Sequence, residues 1–416
     1  MDWYVRPIGA ACSPTELRDP RSEPDTEFRY IDISGIDRVQ KTITDYQTIR
    51  GLEAPSRARK VVQKDDILVA TVRPNLNAVA MVPGELHGEI ASTGFCVLRA
   101  NRAVVDPRYL FYRTVSNGFV AALAAKVRGA NYPAVSDGDV KAVEIPLPPL
   151  SEQRRIVEIL DQADRLRRLR TEADAKADRI LPALFIKMFG DPATNPMGWP
   201  MVPLRQLGVP LSGGAFPLAE QGLANGEVPF IKVSDMNTEG NEWFIRRANH
   251  YVSSVTLKRL RVKPAPAGTI VFPKIGAAVA TNKKRLLVRE TAFDNNVIGV
   301  IPKDARFSSY LFGFFQLFDL RTLARSTALP SIKTSELARL AIPRPEPEGA
   351  EAFAAQFLAF SEVRDRGAVA SHQIDDLFKT VLHRTFSGAL TASWREAHMI
   401  ELLQEMEQQA KAMAGA

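Results

Sequence analysis

Apolar positions along this chain switch between two periods, and the switch happens twice. Through residue 146, short β-branched runs stand between turn signals: Ile31-Asp32-Ile33, Ile67-Leu68-Val69-Ala70-Thr71-Val72 and Phe95-Cys96-Val97-Leu98 predict strands. Residues 109–125 predict a helix and 140–145 a closing strand. Pro146, Pro148 and Pro149 then stop whatever precedes them, and Ser151 stands where an N-cap belongs. From there Ile156, Ile159, Leu160, Ala163, Leu166 and Leu169 recur at helical spacing, predicting a long helix over 151–189 with a kink near Pro182. The turn-rich run Gly190-Asp191-Pro192-Ala193-Thr194-Asn195-Pro196-Met197-Gly198-Trp199-Pro200 is a link. Strand-like patterning resumes over 200–346 and ends at Ile342-Pro343-Arg344-Pro345-Glu346-Pro347. A second long helix is predicted over 351–385, with Phe353, Phe357, Phe360, Val363, Ile374, Leu377, Phe378 and Val381 as its stripe. Gly367 interrupts that helix at about 1 kcal/mol relative to alanine. Residues 396–416 read as a helical tail.

The two halves are versions of one plan. Asp65-Asp66-Ile67-Leu68-Val69 recurs as Gly268-Thr269-Ile270-Val271-Phe272, and Asp106-Pro107-Arg108-Tyr109-Leu110-Phe111 as Arg306-Phe307-Ser308-Ser309-Tyr310-Leu311-Phe312. Tyr132-Pro133-Ala134-Val135 recurs as Leu329-Pro330-Ser331-Ile332, and Glu144-Ile145-Pro146 as Ala341-Ile342-Pro343. Pro330 follows Pro133 by 197 residues, and Pro343 follows Pro146 by the same 197. Order and spacing hold while identity is low, as in a diverged tandem duplication. The expected fold class is α+β: two duplicated α+β domains, 1–146 and 191–346 with its link, separated by two long antiparallel coiled-coil-like helices, 147–190 and 347–416 with its tail. Two helices of about 35 residues would each span roughly 50 Å.

Composition narrows the classes. At 416 residues, 45% hydrophobic and 24% charged, the chain is long enough for two or three ordinary globular domains. No apolar run approaches the ~20 residues of a membrane helix, and the opening residues lack a signal-peptide pattern, so the expected setting is cytoplasmic without a membrane partner. Cys12 and Cys96 read as reduced packing residues. The net charge of +7 is uneven: residues 1–146 carry 19 Lys/Arg against 18 Asp/Glu, residues 201–346 carry 20 against 11. A basic excess of that kind is the footprint of a phosphate-binding surface.

The junction Pro146-Leu147-Pro148-Pro149-Leu150-Ser151-Glu152-Gln153-Arg154-Arg155-Ile156-Val157 resembles the passage from target-recognition domain to conserved helix in the specificity subunit of type I restriction–modification systems. The link at 190–200 and the ending Phe386-Ser387-Gly388-Ala389-Leu390-Thr391-Ala392-Ser393-Trp394-Arg395 are similar to segments of the same family. The resemblance implies a non-catalytic DNA-recognition subunit of an adenine methyltransferase and restriction endonuclease complex. Each globular domain would read one half of a bipartite double-stranded DNA target, and the helices would set the gap and dock two modification subunits. Restriction subunits would join for ATP-dependent cleavage. The chain itself would hold no cofactor; S-adenosylmethionine, ATP and Mg would belong to the partners. Where this family commonly has Gly-Asp-Ile-Leu, Asp65 stands in the glycine's place.

The residues themselves agree with recognition without chemistry. There is no G-x-x-x-x-G-K-[ST] loop, and His87, His250, His372, His383 and His398 share no metal-ligand spacing. Asp106-Pro107-Arg108-Tyr109 lacks the second proline of an amino-methyltransferase motif and reads as a helix start with proline at N1. A fused methyltransferase, or a coiled-coil adaptor binding only protein, are the competing classes. DNA readers should be long hydrogen-bonding side chains on loops. In the first half these are Arg57, Arg59 and Lys60; Arg73, Asn75 and Asn77; and Lys126, Arg128, Asn131 and Tyr132. In the second half they are Lys274; Asn282, Lys283, Lys284 and Arg285; Arg325 and Lys333. Arg73 is matched with Lys274, and Arg128 with Arg325, as equivalent points of the repeat.

Overall fold

Buried β-branched runs build two sheets in the first globular segment. Ile67–Ala70 and Phe95–Ala100 pair antiparallel at the centre of a four-stranded sheet, flanked by Val79–Met81 and Cys12–Ser13. A second sheet runs Gln47–Arg50, Glu27–Ile31, Ile90–Ser92, Ala58–Val61, with its middle pair parallel. The computed structural model describes residues 3–128, 133–324 and 330–414. It divides into two units: Met1–Arg170 with Ser371–Ala416, and Thr171–Ala370. Each unit contains one globular segment, the start of the helix that follows it and the end of the other long helix.

The second unit repeats the first. Ile270–Pro273 and Val297–Pro302 pair at the centre of its larger sheet, and Val228–Ile231 runs parallel to Ala292–Phe293 as Glu27–Ile31 does to Ile90–Ser92. Tyr4–Pro7 pairs with Glu144–Leu147 as Met201–Pro203 pairs with Ala341–Pro343. The Tyr109 hydroxyl donates to the Pro146 carbonyl at 2.7 Å, and Tyr310 donates to Pro343 in the same way. The Phe386 ring lies edge-on to Tyr109, and Phe189 edge-on to Tyr310. The turn before the central strand is left-handed in both, at Asp65 (φ 68°) and Gly268 (φ 82°). Aspartate keeps the conformation that glycine takes at the equivalent turn of the second unit, because its short polar side chain tolerates this region better than most.

Several local expectations are revised. The helix predicted over 109–125 is two, Pro107–Val115 and Asn117–Ala124, broken at Ser116, whose hydroxyl caps the second. Residues 140–145 are not one strand: Asp137–Lys141 is helical behind a Ser136 capping box, and the strand is Glu144–Leu147. Asp106 caps the Pro107 helix as expected, accepting from the Arg108 and Tyr109 amides. Ser151 is no N-cap. The helix already starts at Leu150, and the Ser151 amide and hydroxyl both donate to the Glu405 carboxylate. The first long helix is Leu150–Ala177, followed after a turn by Ile180–Phe189. Pro182 has no N–H to give the carbonyl of Asp178, so the break falls one turn before it. The second, Pro347–Phe386, starts with proline at its first position and runs through Gly367 without a break.

The long helices run antiparallel within each unit. In the first, Arg167 meets Asp375 at 3.3 Å while Glu152, at the other end, meets Thr391 and Arg395. In the second, Asp178 meets Arg364 at 3.4 Å and Phe185 packs on Phe353. The apolar stripe is buried only next to the sheets: Ile156, Val157, Leu160 and Ala163 join Phe378 and Leu382 in the first core, whereas Leu166, Leu169, Val363 and Leu377 are exposed. Phe353 and Phe357 join Leu181, Phe185 and Phe189 in the second. Met399–Ala414 docks on the first unit through Leu402, Met406 and Gln409, and the Gln409 amide donates to the Val104 and Pro148 carbonyls. Cys12 and Cys96 are free thiols, both pushed up to about 12 by burial. Among the described residues no helix is long and apolar enough to cross a membrane.

Candidate nucleic-acid interface

Backbone hydrogen bonds sew four loops of the first unit together. The Thr93 amide donates to the Arg57 carbonyl at 2.8 Å, and Thr71 donates through its amide and hydroxyl to Gly94, each at 2.9 Å. Val135 donates to the Thr71 carbonyl and Arg73 to the Pro133 carbonyl, at 2.9 and 2.7 Å. Segments far apart in the chain thus converge where the central strands end. Arg73 (φ 49°) and Asn77 (φ 46°) are both left-handed and bracket the short turn Pro74–Leu76. Pro74 fixes that turn from within, so Arg73 and Asn75 project from a constrained platform and both are exposed.

The candidate side chains divide by whether the protein already occupies them. Arg57, Arg73, Asn75 and Arg128 are exposed, Arg128 at 82% of its side chain with only a 3.7 Å contact to Asp139. Arg59 pairs with Asp19 at 2.9 Å, and Lys126 reaches the Asp139 carbonyl at 3.5 Å. Lys60 is turned inward, its ammonium 2.5 Å from both the Phe95 carbonyl and Asp137. The Asn77 amide is spent on the Val115 carbonyl. Asn131 and Tyr132 lie outside the described residues.

The second unit carries the same stitching. Ile332 donates to the Lys274 carbonyl at 2.9 Å and Gly276 to the Pro330 carbonyl at 2.8 Å. The equivalent of Thr71 is therefore Lys274, and the equivalent of Arg73 is Gly276, which is likewise left-handed (φ 72°). This corrects the matching of Arg73 with Lys274 by two residues, because the hydrogen-bond register rather than the nearest cation defines the repeat. Lys274 donates to the Ser212 hydroxyl at 2.7 Å. Asn282 is left-handed and accepts from the Leu320 amide, and Lys283 contacts the Asn237 side chain.

Lys284 leaves the candidate set. It is 2% exposed, its ammonium donates to the Phe318 carbonyl at 2.8 Å, and burial pulls its pKa down to about 8. Arg285 donates to the Lys284 and Met236 carbonyls, and burial lowers it to about 10. Lys333 is exposed, and Arg325 lies outside the described residues. Two amides were missed: Asn295 and Asn296 are exposed on the loop whose carbonyl, at Asn296, accepts from the Lys274 amide at 2.7 Å, while the Asn296 side-chain amide donates to Asp294 at 3.0 Å. Their signal was the polar Asp294-Asn295-Asn296 turn between two apolar runs, overlooked because it carries no cation. Among the described residues, no group of three or more His, Cys, Asp or Glu is placed to hold a metal ion.

The model of a protein family described as the type I restriction modification DNA specificity domain matches this chain twice, over residues 30–177 and 196–357. The chain belongs to that family. It is a specificity subunit of a type I restriction–modification system, a recognition subunit rather than a catalytic one, and its function is recognition of target DNA. The two matches cover most of the two duplicated segments, the helix Leu150–Ala177 and the beginning of the helix Pro347–Phe386. The chain is 21% identical to the type I restriction enzyme HindI specificity subunit of Haemophilus influenzae, over 81% of this chain and 89% of that one. It is 23% identical to the MjaIX specificity subunit of Methanocaldococcus jannaschii, over 67% and 66%. Among solved structures it is similar, with a TM-score of 0.59 and 27% identity over 93% of this chain and 98% of the other, to a chain from a study of complex assembly and conformational transition of the type I R–M system. The S subunit of a type I system from M. genitalium shares the fold at a TM-score of 0.52 and 12% identity, over 93% and 96%.

Proposed function

We propose that each unit of this specificity subunit reads one half of a bipartite DNA target through its stitched loops. The observation that supports this most directly is the paired stitching itself: Val135 to Thr71 and Arg73 to Pro133 in one unit, Ile332 to Lys274 and Gly276 to Pro330 in the other. A rigid strand-end platform repeated in both units suits two independent readers. In the first unit the free readers are Arg57, Arg73, Asn75 and Arg128, joined by Asn131 and Tyr132; Arg59, Lys60, Lys126 and Asn77 hold the platform. In the second, Lys274, Lys283, Lys333 and Arg325 serve with Asn295 and Asn296, and Asn282 and Arg285 hold the loops. Arginine suits the guanine edge and asparagine the adenine edge in the major groove.

The helices set the spacer between half-sites and dock two modification subunits, which bring S-adenosylmethionine. Restriction subunits bring ATP and Mg, and the assembly works in the cytoplasm. The test is a graft: replacing residues 1–146 with those of another specificity subunit should change one half of the methylated motif, read by methylome sequencing, and leave the other half intact. Seven residues added to each long helix, about 10 Å of length, should change the spacer alone. A graft that alters both half-sites together would overturn the independent-reader model.

A further inference from the structure

The first unit contains a cavity of about 540 Å³ whose walls include none of the DNA-reading side chains proposed above. It opens between the end of the helix Pro107–Val115, the turn at 39–41 and the two long-helix segments, with Phe111, Tyr112, Phe378, Leu382 and Phe386 among its walls. Its volume falls in the range of about 300–1,000 Å³ typical of small-molecule sites. Cations face it as well: Lys41, Arg113, Arg167 and Arg168. The two carboxylates present are already engaged, Asp164 by Arg168 at 2.8 Å and Asp375 by Arg167 at 3.3 Å. The Lys41 ammonium donates to the Asn77 carbonyl.

Arg113 has no such partner. Its guanidinium lies 4.4 Å over the Phe386 ring, its buried Nε has no hydrogen-bond acceptor, and it forms no ion pair among the described residues. Burial lowers its pKa, so the protein holds the charge at a cost. A half-buried cation whose one partner is a ring face, beside an apolar cavity, is suited to take an anion from outside.

The second unit carries different side chains at the equivalent positions. Phe314 follows Arg113 by 201 residues, as Tyr310 follows Tyr109. Trp243 precedes Phe244–Ile245 as Lys41 precedes Thr42–Ile43, and these short strands lie against Arg285–Leu287 and Val79–Met81 respectively. Trp243 packs on Phe312, Phe357 and Phe360, and Phe314 on Phe315 and Phe318. Aromatic side chains stand there at the two positions that cations hold in the first unit, with Arg364 lying 4.3 Å over the Trp243 ring. Lys41 and Arg113 of the cavity wall thus have aromatic counterparts in the second unit, Trp243 and Phe314.

We propose that this cavity binds a small organic anion, a carboxylate or phosphate monoester on an aromatic or aliphatic body, with Arg113 taking the anionic head and the ring walls taking the body. The proposal stands apart from the half-site reading and is tested without DNA. Benzoate and phenyl phosphate are titrated into the full chain by calorimetry, with benzyl alcohol as the uncharged control and inorganic phosphate as the head without a body. One saturable site per chain is expected for both anions, with benzyl alcohol and phosphate each weaker by about 10–100-fold. Arg113→Met keeps an apolar stem over Phe386 and should weaken both anions by a similar factor while the fold persists by circular dichroism. A crystal soaked with phenyl phosphate should place the head against Arg113. Three results would each overturn the proposal: no saturable binding of either anion, equal binding by Arg113→Met, or density away from the cavity. Should Arg113→Met fail to fold, the control ratios and the soaked crystal decide alone.

Discussion

Replacing Lys284 with methionine separates a structural cation from a DNA-reading one. The folded chain lowers the Lys284 pKa from 10.5 to about 8 because its ammonium is buried. At about 1.4 kcal/mol per unit, the burial cost at neutral pH is up to about 3 kcal/mol. Its charged hydrogen bond to the Phe318 carbonyl returns about 1.5–3 kcal/mol. Lys284→Met removes both, so stability at pH 7 should change by no more than about 2 kcal/mol. The pH dependence differs more sharply. Between about pH 8 and 10.5 the unfolded chain keeps the proton that the folded chain has released, so this site adds stability as pH rises through that window. Wild type should therefore gain up to about 3 kcal/mol relative to Lys284→Met from pH 7 to pH 10.5. Urea titrations at the two pH values, read by pulse proteolysis of the 200–346 segment, measure the difference; DNA affinity should be unchanged. Parallel pH profiles for the two proteins, or a loss of DNA affinity in Lys284→Met, would refute the reasoning.

Alanine at Arg57, Arg73 or Arg128 should weaken binding on every sequence and flatten the salt slope by about one unit if the residue holds phosphate. If it reads a base, the loss should be about 1–3 kcal/mol and confined to the cognate half-site, as DNA titrations at several salt concentrations will distinguish. Glu152→Gln strikes a buried carboxylate that accepts from Trp3, Thr391 and Arg395 at 2.9, 2.6 and 2.8 Å. Leaving Arg395 without its counter-ion should cost about 3–5 kcal/mol, seen as an early thermal transition of the first unit. Asp65→Gly relieves a left-handed aspartate and loses only an exposed pair with Arg102, so it should raise stability by about 0.5–1 kcal/mol in urea titrations.

The duplication, the turn at Asp65, the proline-started helix behind Asp106 and the matching tyrosines were all legible along the chain. The duplication shows in the order and constant spacing of its segments; the others rest on residues within a few positions of one another, where backbone preference and steric exclusion act locally. Boundaries were less legible: Ser151 carries an N-cap's chemistry, but the carboxylate of Glu405, 254 residues away, claims its hydroxyl. Lys283, Lys284 and Arg285 look alike in sequence, yet Lys284 turns inward onto a carbonyl from a helix end 34 residues later. Arg73 and Lys274 look equivalent until the hydrogen bonds that the Pro133 and Pro330 carbonyls accept fix the register two residues away. Likewise Arg113 and Phe314 occupy one position of the repeat, and only packing reveals a cavity beside Arg113 and ring contacts of Phe314 with Phe315 and Phe318. Local conformation is set by neighbours in the chain. Whether a charge is free, paired or buried depends on the desolvation imposed by segments that meet only after folding, and that is what the tertiary structure decided.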